Sequence, residues 1–147
     1  MKTEKIILKS KQDTINLAKK IAQQCKKGDV ITLRGTLGAG KTFFTNAFIN
    51  AIYEKESRGK VDVTSPTFNI VKSYETNNFP IYHYDLYRLK NSDELYELGI
   101  EDSLEDGVSL IEWPEIAEGM LGNIRFELSF EHGRDDEERT VEIKSFY

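Results

Sequence analysis

At 147 residues, with 39% hydrophobic residues, the chain can bury one core and is expected to form a single domain over residues 1–147. Its 20 Lys and Arg stand against 25 Asp and Glu; the net charge of −5 argues against an unaided grip on nucleic acid, and the sequence holds no polybasic membrane patch. One cysteine excludes an internal disulfide, and no apolar run is long enough for a signal peptide or a membrane span, so a cytoplasmic protein is expected.

Ile6-Ile7-Leu8 is expected to be a short first strand. Ser10-Lys11-Gln12-Asp13 has the form of a capping box and opens a helix. Its apolar stripe is Leu17, Ala18, Ile21, Ala22 and Cys25, which makes Cys25 a structural thiol. Gly28-Asp29 ends that helix, and the β-branched run Val30–Leu33 is a second strand. Gly35-Thr36-Leu37-Gly38-Ala39-Gly40-Lys41-Thr42 follows, then a helix to about Tyr53 with Phe44, Ala47, Phe48, Ala51 and Ile52 on one face. Glu54–Lys60 is polar and aperiodic, a surface loop. Phe68–Tyr74 and Ile81–Tyr87 are strands joined by an Asn77-Asn78 turn. Ser92-Asp93-Glu94 starts a short helix that stops near Gly99. Val108–Trp113 is a buried strand, and Ile124–Phe130 and Thr140–Ile143 are strands around a hairpin tip at 132–138. Two helices and these strands predict an α/β fold. Its mixed, mostly parallel sheet carries flanking helices and an antiparallel C-terminal flank; the strand order is not derivable.

The pattern G-x-x-x-x-G-K-T between a strand and a helix is a phosphate-binding loop. Its glycines turn backbone N–H groups inward as an anion nest, and the helix start adds a positive dipole end. Lys41 would reach the outer phosphates as a point charge, and the Thr42 hydroxyl would bind Mg²⁺. Such a loop needs acids for the metal and for water. Glu112 follows the apolar run Val108–Ile111, and Asp85 closes the strand Ile81–Tyr84. One hydroxyl and one carboxylate suffice for Mg²⁺, which keeps several waters, and the other acid is free to handle the attacking water. Which acid does which stays open.

Ser65-Pro66-Thr67 offers two hydroxyls on a rigid turn, either a phosphate-sensing switch or an ordinary turn. Trp113, the one tryptophan, reads as a packing residue beside Glu112. His83 alternates with tyrosines and reads as a packed histidine rather than a base or ligand. Arg134 precedes a charged turn and could reach a nucleotide. No C-x-x-C or H-x-x-x-H spacing supports a structural metal, and no N-K-x-D reads guanine. Only six arginines, unclustered, leave no lid for a second phosphate substrate. A small ATPase serving a partner therefore fits better than a kinase with Asp85 as base for an acceptor hydroxyl, or a module that senses ATP without turnover.

Five segments together resemble the TsaE (YjeE) family: Gly35–Thr42, Ser65-Pro66-Thr67-Phe68, His83-Tyr84-Asp85-Leu86-Tyr87-Arg88-Leu89, Glu97-Leu98-Gly99-Ile100 and Ile111-Glu112-Trp113-Pro114-Glu115. The resemblance spans about Ser10 to Arg134. It implies a P-loop NTPase-like fold and a bacterial ATPase, with ATP and Mg²⁺ as cofactors, in tRNA threonylcarbamoyladenosine synthesis. By the same resemblance, Gly38, Ala39, Gly40, Lys41, Thr42 and Phe43 wrap the ATP phosphates, and Thr42 and Glu112 hold Mg²⁺. Asp85 is then essential for hydrolysis, Ser65, Pro66 and Thr67 form a first switch, and Glu112-Trp113 belongs to a second. Lys11, Thr14 and the Gly133-Arg134 turn match positions flanking the base. The implied partners are TsaD and TsaB, with tRNA met only through their complex and no membrane. The Glu54–Lys60 loop and the Asp135–Glu138 turn are longer or more charged than the family pattern needs.

Overall fold

The computed structural model describes residues 1–147. In chain order it contains β1 (Lys2–Leu8), α1 (Lys11–Ala22), β2 (Val30–Arg34), α2 (Lys41–Lys55), β3 (Val71–Tyr74) and β4 (Ile81–Asp85). Then come α3 (Asp93–Glu97), α4 (Ile100–Asp106), β5 (Val108–Glu112), a 3₁₀ helix (Pro114–Met120), β6 (Phe126–His132) and β7 (Arg139–Ser145). No helix is long and apolar enough to cross a membrane.

The strands form one seven-stranded sheet in the order β1-β7-β6-β2-β5-β4-β3. β6, β2, β5 and β4 are parallel neighbours. β7 runs against β6 and β1, and β3 runs against β4, so the mixed sheet with an antiparallel C-terminal flank is borne out. The central strands are apolar on both faces because helices cover both. Ile31 and Leu33 of β2 pack with α1 and α2 on one side. Val30 of β2 and Ile111 of β5 meet Leu95, Ile100 and Ala117 from α3, α4 and the 3₁₀ helix on the other.

Local signals explain most boundaries. Ser10 caps α1 by accepting from the Asp13 N–H at 3.3 Å, while the Asp13 carboxylate accepts from the Lys9 N–H at 2.9 Å. The box is thus closed one residue earlier than the reciprocal form. Several boundaries shift. α1 ends at Ala22, so Cys25 lies in the turn beyond it rather than on the helical stripe, half-buried against the core. Burial, aided by the Asp29 charge, pushes its thiol up to about 12. The strand expected from Phe68 begins only at Val71, because residues 67–70 turn and Ile70 takes a left-handed φ of 70°. The helix α4 and the 3₁₀ helix are additions. α4 is short and acidic, and the 3₁₀ helix starts at a proline, so neither shows helical periodicity.

Candidate active site

The loop between β2 and α2 is shaped by close approach. Gly35 has φ 143°, and a Cβ there would stand 2.7 Å from the carbonyl oxygen of Phe130 in β6. Gly40 precedes α2 with no side-chain cap, and the first turn of α2 holds no acid. Its leading N–H groups and dipole are therefore left for an anion. Ala39 is fully buried beneath the loop.

Parallel strands that end together deliver the remaining groups to this loop. Asp85 and Glu112 are register partners at the C-terminal ends of β4 and β5, and Leu33 of β2 is opposite Glu112. Both acids are buried, at 4% and 2% exposure. The Thr42 hydroxyl donates to the Glu112 carboxylate, 3.1 Å from Oε1 and 3.0 Å from Oε2. From the other side, His83 Nε2 lies 2.6 Å from Glu112 Oε2. Asp85 Oδ2 accepts from the hydroxyls of Ser65 and of Thr67, the latter at 3.0 Å, and Oδ1 accepts from the Tyr87 N–H at 3.0 Å.

Lys41 folds back onto its own loop. Its Nζ donates to the Gly35 carbonyl at 2.6 Å and sits 3.4 Å from the centroid of the Trp113 ring. Burial holds its ammonium below the usual lysine range, against the charges of Glu112 and Asp85. Trp113 takes a left-handed φ of 57° and also packs against Tyr87, ring centroids 4.8 Å apart and planes tilted by 48°. Its ring therefore covers the lysine as well as packing, which is more than the packing role read from sequence.

These groups line one cavity of about 470 Å³. Of the residues singled out in the sequence, Lys11, Thr14, Gly38, Gly40, Lys41, Thr42, Phe43, Ser65, Thr67, Asp85, Glu112 and Trp113 line it. Ala39 and Pro66 are buried and lie outside the lining, and the Pro66 carbonyl holds the turn by accepting from the Ile70 N–H. Arg134 is an exposed residue outside the lining, with its N–H on Glu138. Arg139 lines the cavity, because closing the β6–β7 hairpin pairs His132 with Arg139 and carries residue 139 back over the loop. Its Nη2 donates to the Gly38 carbonyl at 3.2 Å. The hairpin was legible in the sequence; what it did not show is that the start of the returning strand lies at the same end of the sheet as the loop.

No group of three or more His, Cys, Asp or Glu is arranged to hold a metal ion. One hydroxyl and one carboxylate in contact, Thr42 and Glu112, are instead an oxygen donor set of the kind Mg²⁺ uses when waters and phosphate oxygens complete its shell.

A strand–loop–helix with an uncapped helix start, its lysine and acids at the ends of neighbouring parallel strands define a P-loop NTPase-like protein. The crystal structure of Bacillus subtilis YdiB superposes with a TM-score of 0.77 at 31% identity, covering 98% of this chain and 86% of that one. The model of the family described as "Threonylcarbamoyl adenosine biosynthesis protein TsaE" matches residues 8–141, and the chain belongs to this TsaE family. Relatives named "tRNA threonylcarbamoyladenosine biosynthesis protein TsaE" include one from Rickettsia felis, 44% identical over 86% of this chain and 71% of its own length. The Rickettsia bellii relative is 39% identical over all of this chain and 99% of its own. The one from Bacillus subtilis is 39% identical over 86% of this chain and 76% of its own.

Proposed function

We propose that this protein binds ATP with Mg²⁺ and hydrolyses it in support of a TsaD–TsaB complex that forms threonylcarbamoyladenosine in tRNA. The observation that carries the hydrolytic part is the convergence of Lys41, Thr42, Asp85 and Glu112 on one cavity beside the phosphate loop. The loop N–H groups and the start of α2 bind the phosphates. Lys41 exchanges the Gly35 carbonyl and the Trp113 ring for phosphate oxygens. Thr42 and Glu112 hold Mg²⁺, which supplies charge neutralisation on the phosphates. Asp85 orients a water and accepts its proton as the water oxygen bonds to the γ-phosphorus and the bond to the ADP oxygen breaks. Ser65 and Thr67, now on Asp85, must yield to that water, which makes their turn the switch. The net charge of −5 supports RNA being met through partners.

The test is ATP labelled on the γ-phosphate, incubated with the chain alone and with TsaD and TsaB. Release of inorganic phosphate that rises with the partners is expected. A rate indifferent to them refutes the partnership, and label found on a small metabolite establishes a kinase instead.

A further inference from the structure

We propose that His83 is a positioning residue that locks the Glu112 carboxylate into its metal-binding orientation. This rests on the reading of Thr42 and Glu112 as the Mg²⁺ pair. His83 is fully buried in the middle of β4, and Nε2 lies 2.6 Å from Glu112 Oε2. An ionised carboxylate only accepts, so Nε2 carries the hydrogen. Nδ1 has no partner at all. A side chain kept only for packing gains nothing from an imidazole here, because an unpaired buried ring nitrogen carries a stability cost that an apolar residue avoids. The one polar contact His83 makes is the one to Glu112.

The geometry says what that contact does. Glu112 reaches the cavity on a flexible side chain, and Thr42 has a single hydroxyl hydrogen to share between two carboxylate oxygens at nearly equal distance. Thr42 alone leaves the carboxylate free to rotate. The bond from His83 fixes Oε2 from the β4 side, and with one oxygen fixed the Thr42 hydroxyl, 3.0 Å from Oε2 and 3.1 Å from Oε1, holds the plane of the carboxylate from the loop side. Period-two alternation places His83 on the same face as Asp85, so β4 carries one residue for the water and one for the metal-binding acid. Partners of this kind, bonded to a metal-binding side chain from behind, set metal affinity by about 10- to 100-fold.

The experiment measures ADP affinity with Mg²⁺ and with EDTA, for the wild type, His83→Leu and His83→Gln, with thermal melts to confirm folding. In EDTA all three are expected to bind alike. With Mg²⁺ the gain is expected to fall about 10- to 100-fold in His83→Leu and to return in His83→Gln, whose amide can still donate. Combined with Glu112→Ala, His83→Leu is expected to add no further loss, because both act through one carboxylate. An undiminished Mg²⁺ gain in His83→Leu, an equal loss in EDTA, or additive losses in the double variant overturns the proposal. If His83→Leu fails to fold, His83→Asn, whose shorter amide falls short of Glu112, is compared with His83→Gln in its place. A wild type with no Mg²⁺ gain refutes the metal reading itself, which separates that failure from this one.

Discussion

Within one phosphate loop, Gly35→Ala and Gly38→Ala are expected to differ sharply in cost. A Cβ on Gly35 would stand 2.7 Å from the carbonyl oxygen of Phe130 and 3.2 Å from the Cβ of Ala39. Neither neighbour is free to move. Phe130 is held in β6 between β2 and β7, and Ala39 is fully buried. The φ of 143° is itself a conformation that non-glycine residues adopt at about 1–3 kcal/mol. Wedging a methyl into a packed contact adds about 1–3 kcal/mol. A combined loss of about 2–6 kcal/mol would consume much of the roughly 5–15 kcal/mol that holds a domain together. For a chain of this size each kcal/mol moves Tm by about 2–4 °C, so Gly35→Ala should melt roughly 4–24 °C lower. At Gly38, φ is 75° and the nearest atom to a Cβ is a His132 ring carbon at 3.8 Å, an ordinary contact. That site costs only the left-handed backbone, about 1–2 kcal/mol, or a few °C. Gly35→Ala also displaces the carbonyl that holds Lys41, so its ADP affinity should fall as well. Paired thermal melts and ADP titrations measure both effects. Equal melting points, or a greater loss at Gly38, would refute the close approach to β6 as the reason for Gly35.

Asp85→Asn is expected to fold normally and to lose catalysis. The asparagine oxygen still accepts from the Tyr87 N–H, and the hydroxyls of Ser65 and Thr67 can turn to accept from its amide, so stability should change by no more than about 1 kcal/mol. Single-turnover ATP hydrolysis should drop by about 10²- to 10⁴-fold, and a rate within a few-fold of wild type would remove Asp85 from the mechanism. Cys25 should be inert and should report on alkaline pH. Its thiol is raised from 9.0 to about 12, so the fold favours the neutral form. That contribution is complete below 9 and is lost as pH rises from about 9 through about 12. Urea melts of wild type and Cys25→Ala should therefore converge between pH 8 and pH 11. Iodoacetamide at pH 8 should label the folded chain far more slowly than the unfolded one, and equal labelling rates would refute the burial.

What the sequence disclosed depended on how local each signal was. The phosphate loop, Glu112 and Asp85 were legible because each is a motif or the end of an apolar run, and the cavity brings all three together. Ser65 and Thr67 were legible as a turn with hydroxyls, but their bonds to Asp85 required β3 and β4 to fold back as a pair. His83 showed only as a histidine among tyrosines. Its bond to Glu112 depends on β4 lying beside β5, and strand order leaves no trace in a single sequence. Arg139 was hidden for the same reason, since hairpin closure rather than proximity in sequence sets it over Gly38. Trp113 was placed correctly beside Glu112, yet only its left-handed backbone turns the ring onto Lys41.

The sheet order explains why Glu112 is the shared member of the site. β5 lies between β2, which leads into the loop, and β4, which carries Asp85 and His83. A carboxylate at the end of β5 is thus the one acid that can be held from both sides at once, by Thr42 from the loop and by His83 from β4. The parallel register makes this possible. It sets Asp85 opposite Glu112 and Leu33 opposite Glu112, so β4 and β5 stop level and β2 runs one residue further into the loop. A one-residue slip of β4 would turn both Asp85 and His83 to the other face, since strand side chains alternate. Register is therefore guarded by the core as well as by the site: Ile81 packs with α1 and α2 and Tyr84 with α3 and α4, and a slip would exchange those two environments. The same apolar alternation that builds the sheet holds the Asp85–His83 face of β4 in place.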